Sequence, residues 1–168
     1  MTQHPPRVVL DTVVFVQALI SGRGPAAGCI DLLRAGRFIL LMSDASFDEL
    51  SNVPLRARLT AKYPFITIER VQSFVAEIAS LSVKITKPAP VFSLPRDAKD
   101  EPFVDLAVAG NAQFIVTWNE VHLTYLMKRD TAEGREFCTR FPNITIVSPP
   151  DFLVALRSMA NAQLKPER

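Results

Sequence analysis

Asp11, Glu49 and Asp100 lie far apart in the chain, yet each falls where an alternating strand and helix pattern delivers it to one rim of a parallel sheet. Asp11 directly ends the apolar run Arg7-Val8-Val9-Leu10, and Asp100 opens the helix-like run from Glu101 to Gly110. In open α/β sheets, function gathers outside the carboxyl ends of the strands. Carboxylates turned inward with no Arg or Lys on the same stripe repel one another and take up protons unless a cation neutralises them. Mg²⁺ and Mn²⁺ favour oxygen ligands and keep positions open for water and phosphate, so these are the metals the residues suggest.

Helical phase singles out these three among 17 acidic residues. Position 49 shares a helix face with Ala45, Ser46, Leu50 and Val53, whereas Asp48 groups with Asp44, Ser51 and Asn52, so Glu49 faces inward and Asp48 faces water. Asp100 lies on the stripe of Phe103, Val104 and Ala107, and Glu101 pairs with Asp105 on a more polar face. Asp105, five residues on, reaches the site only from its edge, as an outer ligand. Asp31 and Glu101 are expected to be solvated, and Asp97 receives no role. Taken alone, an Asp at a strand end is more often a helix cap than a ligand; the set of three carries the metal reading.

The positioning elements follow from periodicity. Val8 to Leu10 reads as a buried strand, followed by a helix carrying Phe15, Ala18 and Leu19 at helical spacing. Gly22, Gly24 and Pro25 mark a break, and a second helix runs from Pro25 to a stop at Gly36. Phe38 to Met42 is a strand, Ser43 caps a helix over 44–53, Pro54 closes it, and a polar stretch spans Arg56 to Tyr63. Val71, Phe74, Val75, Ile78 and Leu81 form a helical stripe within 68–82, able to serve the core or an interface. A short strand over 83–86 and a proline-containing loop over 87–96 connect to a helix over 100–110 and a strand over 114–117. A helix near 120–128, a strand over 144–147 and a helix over 151–159 complete the pattern. Met1 to Pro6 reads as disordered and Ala162 to Arg168 as a frayed tail. Such alternation implies right-handed crossovers and an α/β fold, a three-layer α/β/α sandwich around a parallel sheet.

A chain of 168 residues with 48% hydrophobic content suits a single domain, with an ordered core at about 7–160. A net charge of +2 does not announce a nucleic-acid binder, so any basic surface must be local. Two such groups stand out: Arg56, Arg58 and Lys62 with Tyr63, and Arg96 with Lys99 flanking Asp100. Both also suit a solvated face. Cys29 and Cys138 match no metal-ligand spacing and read as free thiols in a reducing compartment; with no signal peptide and no bilayer-length apolar stretch, a cytoplasmic protein without membrane contact is expected. His4 and His122 show no triad or metal spacing, and no Ser-centred nucleophile motif is present.

The run Arg7-Val8-Val9-Leu10-Asp11-Thr12, Ser43 with Glu49-Leu50, the segment from Arg96 to Phe103, Ala112 to Thr117, and Ser148-Pro149 before Phe152-Leu153 together resemble the PIN-domain family. Within it they resemble the VapC-like toxins of toxin-antitoxin pairs, over residues 7–157. The resemblance implies a Mg²⁺- or Mn²⁺-dependent ribonuclease leaving 5′-phosphate and 3′-hydroxyl ends. It also implies a cytoplasmic homodimer with a cognate antitoxin protein as partner. The family's acidic places fall here on Asp11, Glu49, Asp100 and Asn119, the first three coinciding with those that helical phase selects. Two departures stand out: Val13 where many relatives have Asn, and Asn119 where many have Asp, leaving three formal charges where four are usual. Trp118, where relatives often have Gly, adds a ring that stacks on a base or packs. Thr12 and Thr117 orient a water or a phosphate oxygen, or cap helices.

Two other readings stay open. One is a non-catalytic protein- or RNA-binding module weakened at Val13 and Asn119. The other is phosphoryl transfer through an aspartyl phosphate on Asp11, which the order of the remaining parts disfavours.

Overall fold

The computed structural model describes residues 4–163. Five short strands pair wholly in parallel: β1 (Arg7–Leu10), β2 (Ile39–Met42), β3 (Ser82–Lys84), β4 (Phe114–Val116) and β5 (Thr145–Val147). Their order across the sheet is β3-β2-β1-β4-β5. The chain moves from β1 outward to β2 and β3, then returns to the other side of β1, which puts a switch point between β1 and β4.

Strand residues alternate between two cores. Val8, Leu10, Leu40 and Met42 face a cluster with α1 (Thr12–Ile20), α2 (Pro25–Arg34), α3 (Asp44–Asn52), α5 (Ile68–Leu81) and α8 (Pro149–Gln163). Val9, Leu41, Ile115 and Ile146 face a second cluster with α6 (Glu101–Ala109) and α7 (Ala132–Arg140). A strand covered on both faces must be apolar on both, which is why these runs are continuous rather than alternating. The three-layer α/β/α sandwich expected from the sequence is the fold observed.

The stripe on α5 serves the core: Val71, Phe74 and Ile78 are buried in the single chain, and Phe74 packs edge-on against Phe15 with ring centroids 6.3 Å apart. Cys29 is buried and Cys138 half-buried, both as free thiols. Burial pushes the Cys29 thiol up to about 12. Among the described residues no single helix is long and apolar enough to cross a membrane.

Several elements differ from the sequence reading. The polar stretch after Arg56 contains a short helix, α4 (Ala57–Lys62), which buries nothing and gives no periodic signal. The helix expected near 120–128 is instead a turn followed by a 3-10 segment, Thr124–Met127. Leu123, Tyr125 and Leu126 are all buried there; positions 123 and 126 eclipse in a 3-10 winding, and no single α-helical stripe holds all three. The helix in this region is α7, further along, capped by the Thr131 hydroxyl accepting from the Gly134 N–H. Its interior glycine and largely polar sequence hide it, yet Gly134 is required because a Cβ would meet the Lys128 carbonyl oxygen at 1.9 Å. Helix α8 begins at Pro149 and runs through Ala162 to Gln163, so those two residues are not a frayed tail. The remaining terminal assignments, over 1–3 and 164–168, lie outside the described residues.

Candidate metal centre

Asp11 follows the central strand. Its N–H donates to the Val116 carbonyl at 2.9 Å, extending the β1–β4 pairing by one residue and fixing the side chain at the switch point. Its Oδ2 accepts the Thr117 hydroxyl at 2.7 Å, and its Oδ1 takes the Val13 N–H at a long 3.4 Å, which makes Asp11 the cap of α1. The expected capping role therefore coexists with a buried carboxylate. Burial raises the Asp11 pKa, the Thr117 and Val13 donors oppose that rise, and the negative charge of Glu49 adds to it.

Glu49 lies half-buried on α3 and Asp48 is exposed, as helical phase predicts. The start of α3 is set by Ser43, whose hydroxyl accepts the Ser46 N–H while the Ser46 hydroxyl accepts the Ser43 N–H. Glu49 Oε2 takes the Thr12 hydroxyl at 2.5 Å, so neighbouring residues at the end of β1 engage both the sheet edge and α3. Neither threonine is a simple helix cap: each hydroxyl donates to a carboxylate of the site.

Asp100 closes the 3-10 turn Ala98–Asp100 and precedes α6, where Pro102 occupies the first helical turn without loss of a needed donor. It is 9% exposed. Burial, together with the charges of Asp11, Asp97 and Glu49, pushes its pKa up to about 6, against a smaller opposing pull from His122. Among the described residues no Arg or Lys forms an ion pair with Asp11, Glu49 or Asp100. Among the described residues, electronegativity at the site is met by hydroxyl and amide donors and by the nearby His122 ring rather than by Arg or Lys.

Asn119 sits just beyond β4. Its N–H donates to the Thr117 hydroxyl oxygen at 2.9 Å, and its side-chain carbonyl accepts the His122 backbone N–H at 3.0 Å. That second bond fixes the amide orientation, and the Nδ2 group then donates to Asp100 Oδ2 at 2.8 Å. An aspartate in this place would instead set a fourth charge against Asp100. The amide nitrogen thus supplies part of the positive potential that a cation would otherwise provide.

The three carboxylates sense one another, but their oxygens do not close into one preformed cage. Among the described residues, the set whose ligand atoms all lie within 4.8 Å of one another is Asp97, Asp100 and His122. Like charges with no ion between them settle apart, whereas a ring nitrogen beside two carboxylates does not repel them. Asp97 and His122 were missed in the sequence. The available signal was their spacing, each three residues from a residue already singled out, Asp97 before Asp100 and His122 after Asn119.

The remaining candidates divide. Asp105 is buried, but its Oδ1 accepts the Val91 N–H at 2.8 Å and so ties the long loop onto α6. Glu101 is not free in solvent, since Oε1 accepts the Leu94 N–H at 2.8 Å. Arg96 lies over the Tyr125 ring, 3.9 Å from its centroid, and donates to the Val121 carbonyl; Lys99 is exposed. Arg56, Arg58 and Lys62 are exposed on or beside α4, and none pairs with a carboxylate among the described residues. Trp118 keeps 38% of its surface exposed and donates from Nε1 to Gln17 Oε1 at 2.5 Å, which pins the ring over α1. Val13, one turn before Gln17, is also exposed.

The comparisons agree with this architecture. No curated protein matches the sequence. A solved structure of VapBC2 from Rickettsia felis, bound to a DNA fragment from its promoter, aligns with a TM-score of 0.50 at 18% identity, covering 84% of this chain and 98% of that one. At that identity the likeness speaks for the fold. The family model for the PIN domain matches residues 7–120, a span that holds β1 to β4 and every residue of the site up to Asn119. With well over half its length inside that match, the chain belongs to the PIN domain family.

Proposed function

We propose that the protein is a divalent-metal-dependent endoribonuclease, acting as the toxin of a toxin-antitoxin pair. The observation that carries the reading is the meeting of Asp11, Glu49 and Asp100 at the carboxyl edge of the sheet with no ammonium or guanidinium paired to them among the described residues, two of the three with raised pKa. Oxygen donors with open positions fit Mg²⁺ or Mn²⁺. When bound, such an ion supplies polarisation of a phosphate oxygen and acidification of a water.

The chain's own groups do the positioning. Thr117 holds Asp11 and Thr12 holds Glu49, each through a hydroxyl that leaves one carboxylate oxygen free of side-chain donors. Asn119 holds Asp100 in the same manner. Arg56, Arg58 and Lys62, and Lys99 beside Asp100, offer cations that no carboxylate pairs among the described residues to a phosphate backbone, and Trp118 offers an exposed ring for a base. Arg96 is committed to Tyr125 and Val121, so its contribution to RNA is secondary.

The proposal includes an antitoxin partner, which the likeness to VapBC2 supports, and a homodimer, which rests on the family resemblance alone. Val71, Phe74 and Ile78 of the α5 stripe are buried within the single chain, so the stripe leaves a dimer little apolar surface. The competing reading, a weakened binding module, draws on Asn119 and Val13. Cleavage of a single-stranded RNA in Mg²⁺ or Mn²⁺, abolished by Asp11→Asn with folding intact, supports the nuclease. RNA binding without cleavage at millimolar metal supports the module.

A further inference from the structure

We propose that His122, with Asp97 and Asp100, forms a second cation position that takes a divalent transition ion such as Mn²⁺ or Zn²⁺ in preference to Mg²⁺. It shares Asp100 with the Asp11 and Glu49 position and rests on the proposed function only through that shared ligand.

Each of the three side chains keeps a ligand atom that no donor engages among the described residues. Asp97 Oδ1 is engaged by the Lys99 N–H at 3.0 Å, which leaves Oδ2, 3.7 Å from His122 Nδ1. Asp100 Oδ2 is engaged by Asn119, and Oδ1 has no hydrogen-bond donor among the described residues. His122 Nδ1 is shielded from solvent and has no hydrogen-bond partner among the described residues, although the side chain as a whole keeps 33% exposure. A buried ring nitrogen without a partner is costly, and native structures rarely leave one.

The ligand atoms all lie within 4.8 Å of one another. Neighbouring donors bonded to one ion at about 2.1 Å stand about 3 Å apart, so side-chain rotations that close any pair by no more than about 2 Å complete the set. Asn119 sets the register, because its amide donates to Asp100 while its carbonyl accepts the His122 backbone N–H. Both bonds hold the acid and the imidazole in place without using the atoms a metal would need.

Ligand chemistry gives the preference. Mg²⁺ takes oxygen and gives up water reluctantly, whereas first-row transition ions accept an imidazole nitrogen readily. The exposed edge of His122 provides an entry path.

Pulsed electron paramagnetic resonance on the full chain loaded with Mn²⁺ tests this, together with calorimetric titration of Mn²⁺ and Mg²⁺. Two Mn²⁺ per chain are expected, one of them showing a ¹⁴N coupling that excess Mg²⁺ does not remove. His122→Ala should lose the coupling and weaken that ion by at least about tenfold, a scale reached even when an outer partner of a ligand is lost. His122→Gln keeps the side chain's bulk and polarity should the alanine variant fold poorly, and it too should lose the coupling. Asp11→Asn should lose the other ion and keep the nitrogen signal. Absence of nitrogen coupling at saturating Mn²⁺, or its survival in His122→Gln, overturns the proposal. Neither result bears on whether Asp11→Asn abolishes RNA cleavage, so the two readings fail separately.

Discussion

Replacing Asp100 by Asn should make the metal-free protein more stable at neutral and higher pH, even as it removes a ligand. In the folded chain the Asp100 carboxyl holds its proton up to about pH 6, whereas its ordinary value is 3.8. Between those values the native state binds more protons than the unfolded chain, so stability falls as pH rises through the window and stays low above it. A separation of about two pK units at 1.36 kcal/mol each corresponds to about 2 to 3 kcal/mol held against the fold once Asp100 is ionised. The carboxamide of the Asp100→Asn variant keeps an acceptor for the Asn119 amide and carries no charge. For a chain of this length, that relief corresponds to a rise in Tm of about 5 to 10 °C at pH 8. The gap should shrink toward zero near pH 4, where wild-type Asp100 is protonated. Saturating Mn²⁺ should raise the wild type and leave the variant unmoved, because binding to the native state alone adds stability. Differential scanning calorimetry across pH 4 to 8 in chelator, then in Mn²⁺, reads all three effects. An Asp100→Asn variant less stable than wild type at pH 8 in chelator would refute the claim that this site is too electronegative for its surroundings.

Three further outcomes follow from particular contacts. Asn119→Asp removes the donor to Asp100 and adds a fourth charge, so it should tighten Mg²⁺ by roughly tenfold in calorimetry while lowering the metal-free Tm. Neutralising Arg56, Arg58 and Lys62 together should flatten the salt dependence of single-stranded RNA binding, reducing the logarithmic slope by about 2 if all three meet phosphates; an unchanged slope would place the RNA elsewhere. Gly134→Ala drives a Cβ toward the Lys128 carbonyl oxygen, so urea titration should show a loss on the order of 2 kcal/mol with metal affinity unaltered, since no candidate ligand lies on α7.

Much of the scaffold was legible because strongly apolar segments left little choice. Two-sided burial wrote the strands as continuous runs, and the α5 stripe carried a clean helical period. Glu49 was separable from Asp48 because one residue of helical phase exchanges core for solvent. What escaped the sequence depended on contacts that are neither periodic nor local. Helix α7 buries little beyond Phe137 and carries a glycine demanded by the Lys128 carbonyl, a neighbour no helical pattern announces. His122 reaches the site through an Asn119-capped turn rather than along a helix, so helical phase pointed it nowhere. Asp105 looked like a reserve ligand, but the Val91 N–H on the preceding loop claims its oxygen. Even the roles of Thr12 and Thr117 turned on tertiary reach, since each hydroxyl finds an acid on another element.

Asp11, Glu49 and Asp100 are proposed to act together as a cation-dependent centre for cutting RNA. A single-turnover cleavage assay on single-stranded RNA, with Mn²⁺ or Mg²⁺ titrated into wild type and Asp11→Asn, decides this. Cleavage that rises with metal in the wild type, stops in EDTA and is at least about a thousandfold slower in the variant is expected, a loss of about 4 kcal/mol in transition-state stabilisation. Cleavage indifferent to chelator, or equal in the two proteins, would contradict it.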